Sequence, residues 1–352
     1  MKGRAIAWTR LLGWRNGAKR TRELPRRITI ENTHRCNLRC PFCLHTLHEG
    51  ASPSMSPGLF DSLAAELFTE GSEVGLSVTG EPFLSPRFEE ECAAIEKAGA
   101  HLVTYTNGTR LLEALDMASF RAVVRGLSVS LDAATEATYS TLRPPASWTK
   151  MLDGIRAYDR WRKTRDDPPA LELVLVLQRR NIDELVRWVD LAKELGADRV
   201  ATSHLVVHSD DMRPESLAEL EEGRKLANRS IRAARERARS IGIDATFPGP
   251  FGSPSVAPEA PPEAPRGEAT CRLPWTETWI DASGEVYPCC FPDLVPSMGN
   301  VKEGGFTAVW NGSAYRDWRR ALLGADLPPP CRSCHLARPT NEARFELVRA
   351  EP

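Results

Sequence analysis

Short apolar segments alternate with amphipathic segments between residues 27 and 210, and this alternation constrains the fold most. Six segments have the length and apolar content of buried strands: Arg27–Glu31, Val74–Val78, His101–Thr106, Gly126–Leu131, Leu171–Leu177 and Arg199–Leu205. Helical patterns separate them, at Pro57–Glu70, Phe88–Ala98, Leu111–Ala118, Trp148–Lys163 and Ile182–Leu195. Because a helix between two strands leaves those strands parallel, the sequence predicts an α/β fold with a partial (β/α)6 parallel barrel.

Three cysteines directly follow the first predicted strand. Cys36, Cys40 and Cys43 stand in the segment CNLRCPFC. Three thiolates can hold three irons of a 4Fe–4S cluster and leave the fourth iron open, whereas electron-transfer clusters normally have four cysteine ligands. The alternative is a zinc site, whose fourth ligand would come from one of the nearby histidines, His34, His45 or His48.

The spacing of these cysteines, with Phe42 before the last one, resembles the motif of the radical S-adenosylmethionine (SAM) superfamily. The resemblance implies that the open iron binds SAM and that the reduced 4Fe–4S cluster cleaves it to methionine and a 5′-deoxyadenosyl radical. That radical would take a hydrogen atom from the substrate. The reaction also implies a reductant such as flavodoxin or ferredoxin, while the protein supplies position and exclusion of water.

Polar motifs follow the next three predicted strands and resemble SAM-binding segments of the same superfamily. They are Ser77–Pro82 (SVTGEP), Thr104–Thr109 (TYTNGT) and Ser128–Ala133 (SVSLDA). Parallel α/β folds gather their chemistry at the carboxyl ends of the strands, so these motifs should lie together. The resemblance assigns SAM binding to Phe42, Thr79, Gly80, Glu81, Asn107, Ser130, Asp132, Arg143 and Gln178. Of these, Ser130 and Arg143 are the candidates for the ribose and the carboxylate.

A second group of cysteines lies near the end of the chain and resembles a SPASM or twitch domain. The pattern is Cys271, then Gly284-x4-Cys289, then Cys331-x2-Cys334. The resemblance implies a small C-terminal β-hairpin/helix iron–sulfur domain, in which Cys271, Cys289, Cys331 and Cys334 bind one auxiliary 4Fe–4S cluster. The alternative is a zinc ribbon, since four cysteines also suit tetrahedral zinc.

Two cysteines are not needed as cluster ligands. Cys92 lies in a predicted helix and should pack against the sheet. Cys290 has three possible roles: a small buried apolar residue, a replacement for Cys289 as ligand, or a catalytic thiol that returns a hydrogen atom to a substrate radical.

The resemblance to twitch enzymes of antibiotic pathways favours a small polyhydroxylated substrate, a sugar or an aminocyclitol. Epimerisation with Cys290 as hydrogen donor is the first expectation, and alcohol dehydrogenation through the auxiliary cluster is its alternative. Peptide maturation is a further alternative, disfavoured because the sequence before Cys36 is too short for a peptide-recognition domain. A non-catalytic iron–sulfur protein is the alternative from a different class.

The chain is expected to comprise five regions. These are a basic arm (1–26), the partial barrel (27–215), a long helix and Pro-rich linker (216–268), the auxiliary cluster domain (269–336) and a C-terminal helix (337–352). The formal net charge is −1, which gives no reason to expect a nucleic-acid partner. No apolar segment is long enough to span a membrane, and cysteines clustered in this way suit metal chemistry rather than disulfides. A cytoplasmic location is therefore expected.

Overall fold

In the computed structural model, residues 23–47, 54–77, 79–252, 271, 273–324 and 327–332 are described. Their strands form one sheet in the order β7-β6-β5-β4-β3-β2-β1-β8-β9. The strands are β1 (Arg27–Ile30), β2 (Glu73–Gly75), β3 (His101–Thr106), β4 (Val124–Ser130), β5 (Ala170–Leu177), β6 (Arg199–His204), β7 (Asp244–Thr246), β8 (Glu277–Ile280) and β9 (Val286–Tyr287). Neighbouring strands pair in parallel, except for β8 and β9, which pair antiparallel.

Helices follow most of the parallel strands, as the alternating pattern predicts. In the described residues the α-helices are α1 (Leu44–Leu47), α2 (Pro57–Leu67), α3 (Phe88–Lys97), α4 (Leu111–Asp116), α5 (Ala118–Val123), α6 (Glu136–Leu142), α7 (Trp148–Arg162), α8 (Leu185–Glu194), α9 (Glu221–Ile241), α10 (Leu273–Thr276), α11 (Phe306–Trp310), α12 (Ser313–Leu322) and α13 (Pro329–Arg332). No described helix is long and apolar enough to cross a membrane.

The two faces of the sheet differ in burial. Along β5, every second residue from Leu171 to Leu177 is at most 1% exposed and belongs to the core, together with Trp188 of α8. The residues between them, such as Glu172, are half-buried. Because side chains alternate between the faces of a strand, helices cover one face, and the other is here called the open face. The strand register places Tyr105, Ser128, Glu172 and Arg199 in one row on the open face.

The predicted α/β fold with a partial parallel barrel is confirmed as a mostly parallel sheet that does not close, and each of the six predicted strands exists. Two local predictions differ from the structure. The predicted helix 111–118 is two helices, α4 and α5, which meet at Met117 in an extended conformation. The long helix expected in the region 216–268 begins only at Glu221, after a separate 3-10 turn that contains Pro214. The sequence reading missed α6 and β7, and all three residues of β7 are exposed.

The C-terminal unit continues the sheet of the barrel. Strand β8 pairs in parallel with β1, and the Glu31 N–H donates to the carbonyl oxygen of Ile280 at 2.8 Å. On the helical side, the Glu66 carboxylate of α2 accepts hydrogen bonds from the N–H groups of Phe306 and Thr307 at 2.8 and 2.7 Å, at the start of α11. The two units therefore share one sheet. The five predicted region boundaries stay predictions, and residues 1–22, the linker residues 253–270 and the predicted C-terminal helix lie outside the described residues.

Candidate functional site

The first cysteine loop leaves the carboxyl end of β1. The Cys43 N–H donates to the Cys40 carbonyl at 3.1 Å, and the Arg39 N–H donates to the Pro144 carbonyl at 2.7 Å. The loop is therefore held both by its own turn and by the segment after α6. Burial raises the pKa of Cys36 and of Cys40, and the neighbouring thiols raise both further. Cys43 has this effect on Cys36, and Cys36 and Cys43 have it on Cys40, so the three thiols lie close together. The structure thus brings the three predicted ligands together.

Asn107 connects the third strand to this loop. Its amide nitrogen lies 3.8 Å from the Cys36 sulfur and donates to the Asn37 side-chain oxygen at 2.9 Å. Its side-chain oxygen accepts from the hydroxyl of Thr109 at 2.7 Å, and that same hydroxyl accepts from the Asn37 amide at 2.9 Å. A closed network of three side chains therefore fixes the position of Cys36. The sequence reading selected Asn107 but missed Asn37, which no strand-end pattern marks.

Glu81 ties the second strand-end motif to the third. The carboxylate is 1% exposed and accepts from the Asn107 N–H at 2.6 Å and from the Thr106 hydroxyl at 2.7 Å. Burial raises its pKa to about 7, although these hydrogen bonds oppose the rise. Both oxygens of Glu81 are thus engaged within the protein. That Glu81 also holds the amino group of SAM stays a prediction.

Gly80 lies directly against the cysteine loop. A Cβ atom at this position would lie 2.1 Å from the Thr33 carbonyl oxygen and 3.0 Å from the Arg35 carbonyl oxygen. The adjacent Glu81 N–H donates to that Arg35 carbonyl at 2.8 Å. Because the two backbone segments are in contact, glycine is the residue that permits this approach.

Asp132 and Arg143 form a buried ion pair beside Cys40. The Arg143 Nε donates to an Asp132 oxygen at 2.5 Å, and the other Asp132 oxygen accepts from the Val176 N–H at 2.6 Å. The guanidinium carbon lies 5.9 Å from the centroid of the Phe42 ring. Burial raises the pKa of the Cys40 thiol to about 12, and the Arg143 charge opposes that rise. Arg143 therefore supplies positive charge next to a thiolate that would bind iron.

Two further predicted SAM-binding residues lie at neighbouring strand ends. Ser130 is the last residue of β4 and is half-buried, and Gln178 follows β5 with 1% exposure. The Gln178 amide nitrogen is buried and has no hydrogen-bond partner among the described residues. An unsatisfied buried donor costs roughly 1–3 kcal/mol, so a polar ligand at this site would relieve that cost. Together with three thiols and a buried cation, this donor set fits a 4Fe–4S cluster and SAM.

Glu31 is a polar residue with several partners around the cysteine loop that the sequence reading missed. It follows β1, is 5% exposed and contacts His34 Nδ1 at 3.2 Å. It accepts from the Thr79 N–H at 3.2 Å and from the Thr79 hydroxyl. Burial acts to raise the pKa of Glu31, but the hydrogen bonds from His34 and Thr79 outweigh it, so the pKa is lowered. Its place as the last residue of the first predicted strand, at the carboxyl end, was the signal that could have found it.

The described cysteines of the second group lie near α12. Cys271 and Cys331 pack against the apolar cluster of Trp275 and Leu322. Burial raises the pKa of Tyr315, which lies on the same helix as Leu322, and Cys289 is close enough to raise it further. Cys334 lies outside the described residues, so the ligand set Cys271, Cys289, Cys331 and Cys334 stays a prediction.

The pair Cys289 and Cys290 lies beside the open face. A hydrogen bond from the Cys290 side chain lowers the pKa of Cys289 to about 7. Cys290 is exposed and Cys289 is half-buried. Cys290 also acts on the pKa of Tyr105, which is raised by burial first and by Glu172 next. Cys290 is therefore a surface thiol rather than a buried apolar residue, whereas Cys92 is 0% exposed in α3, as predicted.

Among the described residues, no three His, Cys, Asp or Glu side chains lie close enough together to hold one metal ion. The thiolates of a 4Fe–4S cluster bind different irons, so their sulfurs need not converge on one point. His48, a possible fourth ligand in the zinc alternative, lies outside the described part of the chain.

Comparison with known families defines the class of protein. The family described as "Radical SAM superfamily" matches residues 30–161. The SPASM family, described as an iron–sulfur cluster-binding domain, matches residues 271–335. These two matches support a radical SAM enzyme with a C-terminal SPASM domain. These two domains imply a SAM-binding 4Fe–4S cluster, an auxiliary cluster and SAM as cofactors.

The relatives in sequence cover most of the chain. An AdoMet-dependent heme synthase from Methanosarcina barkeri is 27% identical and spans 84% of this chain and 85% of its own length. PqqA peptide cyclases from Gluconobacter oxydans and Streptomyces rochei are 26% and 27% identical, each over 88% of this chain. The cyclases are covered over 82% and 81% of their own lengths.

Solved structures show the same fold. SuiB from Streptococcus suis, bound to its precursor peptide SuiA, superposes with a TM-score of 0.63 at 15% identity, over 89% of this chain and 70% of that one. The protein anSMEcpe with bound AdoMet gives a TM-score of 0.64 at 14% identity, over 88% and 83%. At these identities the likeness concerns the fold, an open α/β sheet with a C-terminal cluster domain.

Proposed function

We propose that this enzyme modifies a peptide by radical SAM chemistry. The observation that carries the proposal is the similarity to PqqA peptide cyclases, which in the two cases above extends over 88% of this chain. The fold is also that of SuiB, which was solved with a precursor peptide. These findings favour peptide maturation over the sugar or aminocyclitol substrate expected from the sequence.

The open face carries a row of polar groups that begins at Tyr105 of β3. Tyr105 of β3 interacts electrostatically with Cys290, and Asn107, two residues further along the chain, lies against Cys36. Glu172, in the same row as Tyr105, accepts from the Ser128 hydroxyl at 2.6 Å and pairs with Arg199 at 2.9 Å. Amide and polar groups of an extended peptide would find partners along this row, while the two cysteine sites stand near its β3 end.

The residues named above have different roles in the proposed reaction. When bound, SAM and the reduced first cluster supply a radical that removes a hydrogen atom, and the auxiliary cluster supplies an electron acceptor. Asn107 and Gly80 fix the cysteine loop, and Arg143 neutralises charge next to Cys40. The polar groups of the open face would orient the peptide, because radical transfer requires the reacting atoms to be close and aligned.

Anaerobic reconstitution tests the proposal. The full chain, with dithionite and SAM, is incubated with PqqA-type and other synthetic precursor peptides, and in parallel with sugars and aminocyclitols. We expect more 5′-deoxyadenosine with a peptide, and a product lighter by two hydrogen atoms if two residues are cross-linked. Stimulation by a sugar alone would overturn the assignment of a peptide substrate. A complete lack of 5′-deoxyadenosine under every condition would overturn the assignment of radical SAM activity.

Iron analysis tests the assignment of two clusters, with a cysteine outside both sites as the matched control. The reconstituted chain should hold about eight irons, and Cys43→Ala or Cys289→Ala should hold about four, since each cluster contains four. Cys92→Ala should retain about eight, because Cys92 is buried in α3 and contacts neither site.

Redox-neutral epimerisation is the second candidate function, and the exposure of Cys290 favours it. In deuterated water, a product that gains one deuteron without other change in mass would identify epimerisation through an exchangeable thiol. Cys290→Ala would then abolish turnover and keep both clusters. Loss of iron in that variant would make Cys290 a ligand instead, and oxidation of an alcohol would give a product lighter by two hydrogen atoms without a cross-link.

A further inference from the structure

Glu31 joins three parts of the molecule: the cysteine loop, the motif that contains Thr79, and the C-terminal domain. One carboxylate oxygen contacts His34 in the cysteine loop at 3.2 Å and accepts from the Thr79 N–H at 3.2 Å. The other oxygen accepts from the Ala282 N–H of the C-terminal domain at 3.4 Å. Residues 31 and 282 are 251 positions apart in the sequence, so this contact exists only because β8 lies beside β1.

Thr79 connects Glu31 to the segment that is predicted to bind SAM. The Thr79 hydroxyl donates to Glu31 and lies 2.7 Å from His34 Nδ1. The next residue, Gly80, lies against the Thr33 and Arg35 carbonyls. The strand-end motif that is predicted to bind SAM is thus attached to the cysteine loop on one side by Gly80 and on the other by Glu31.

We propose that Glu31 is a positioning residue that transmits the placement of the auxiliary cluster domain to the SAM-binding loop. Its two oxygens act on opposite partners, one on Thr79 and one on Ala282. The Ala282 end lies in the turn of the β8–β9 hairpin, where the Asp281 carboxylate accepts from the N–H groups of Ser283 and Glu285 at 2.9 Å each. That hairpin leads directly to Cys289.

Glu31→Gln is the informative change, because an amide cannot accept on both sides. Whichever way the glutamine is turned, its NH2 group faces an N–H donor, either Thr79 or Ala282, and one of the two links is lost. The side chain keeps its size, so packing of the buried site changes little. The variant therefore separates the electrostatic link from the volume of the residue.

Glu66→Gln is the matched control. Glu66 is also a carboxylate that links the two units, through the N–H groups of Phe306 and Thr307 at 2.8 and 2.7 Å. Its bonds end at α11, and the bonds described for it reach neither the cysteine loop nor Thr79. If contact between the units were sufficient in itself, the two variants would behave alike.

The experiment measures SAM binding on the reconstituted full chain without any peptide, so its outcome does not depend on the proposed substrate. Iron content and thermal midpoint are recorded first, and the spectrum of the reduced first cluster is then titrated with SAM by electron paramagnetic resonance. We expect Glu31→Gln to keep its iron and to need about tenfold more SAM for half of the spectral change, a factor that corresponds to about 1.4 kcal/mol. Glu66→Gln should titrate like the wild type.

A second variant guards against a folding defect. Thr79→Val removes the hydroxyl that donates to Glu31 and leaves the Ala282 link in place, and its effect on SAM binding should be less than additive with Glu31→Gln. Wild-type SAM binding in Glu31→Gln, an equal loss in Glu66→Gln, or full additivity with Thr79→Val would each overturn the proposal. A loss of iron in Glu31→Gln would also overturn it, since Glu31 would then support the cluster itself.

Discussion

Replacing Gly80 by alanine tests how closely the strand-end motif must approach the cysteine loop. The added Cβ would lie 2.1 Å from the Thr33 carbonyl oxygen, whereas carbon–oxygen contacts begin at about 3.3 Å. One of the two backbone segments must therefore move by about 1.2 Å, a figure obtained by subtracting the former distance from the latter. The obstructing atoms also include the His34 carbonyl carbon at 2.9 Å, so no flexible side chain can yield instead.

The expected result of Gly80→Ala is a loss of SAM cleavage that exceeds the loss of stability. Overpacking of this kind costs about 1–3 kcal/mol, while a displacement of about 1 Å near reacting atoms reduces rates by on the order of a hundredfold. The assay measures 5′-deoxyadenosine formation by the reduced, reconstituted enzyme alongside the thermal midpoint and iron content. Gly58→Ala is the control, because a Cβ at Gly58 in α2 meets nothing within 4 Å. Wild-type SAM cleavage by Gly80→Ala would refute the reasoning.

Three further predictions follow from single buried groups. In the absence of SAM, Gln178→Leu should be as stable as the wild type or more stable, since it removes an unsatisfied donor. It should weaken SAM binding about tenfold in a spectroscopic titration. Unchanged binding would show that Gln178 is not part of the SAM site. Arg319→Met should lower the free energy of unfolding by about 3 kcal/mol or more in a denaturant titration, because the buried carbonyls of Pro274 and Trp310 each lose a charged donor. The pKa of Glu91 is raised, by burial first, so its folded form holds a proton more tightly and stability falls as pH rises from the ordinary glutamate pKa to the raised one. Glu91→Gln should flatten that dependence above the ordinary glutamate pKa, and a denaturation midpoint that varies with pH as in the wild type would contradict the assignment.

The barrel could be predicted because its information is local. Strands such as β5 are apolar at each position that faces the helices, and Leu171 to Leu177 show this pattern without any knowledge of their neighbours. The three cysteines and the motifs around Glu81 and Asn107 also stand directly after strands, where parallel sheets place their sites. Strand β7 was missed because its three residues are exposed and its pairing with β6 leaves no mark in the sequence.

The connections between distant segments could not be predicted. Glu31 and Asn37 are polar residues of ordinary appearance, and their roles depend on partners that the fold brings from Ala282 and Thr109. The relatives favour a peptide over the small polyhydroxylated substrate expected from the sequence, an expectation that rested on the number of cysteines. That number describes the cofactors, whereas the open-face groups proposed to contact the peptide follow no fixed spacing in the sequence.

The position of β1 between β2 and β8 has a consequence for the order in which the enzyme is built on the ribosome. The strand that carries the cysteine loop is synthesised long before one of its two neighbours, β8, since Arg27 of β1 pairs with Glu277 of β8. Until β8 emerges, β1 is an edge strand whose unpaired backbone groups can bind another chain. Delivery of the first cluster would therefore be safest after translation is complete, and a shortened chain that lacks residues 271–335 would expose the loop on an unfinished edge.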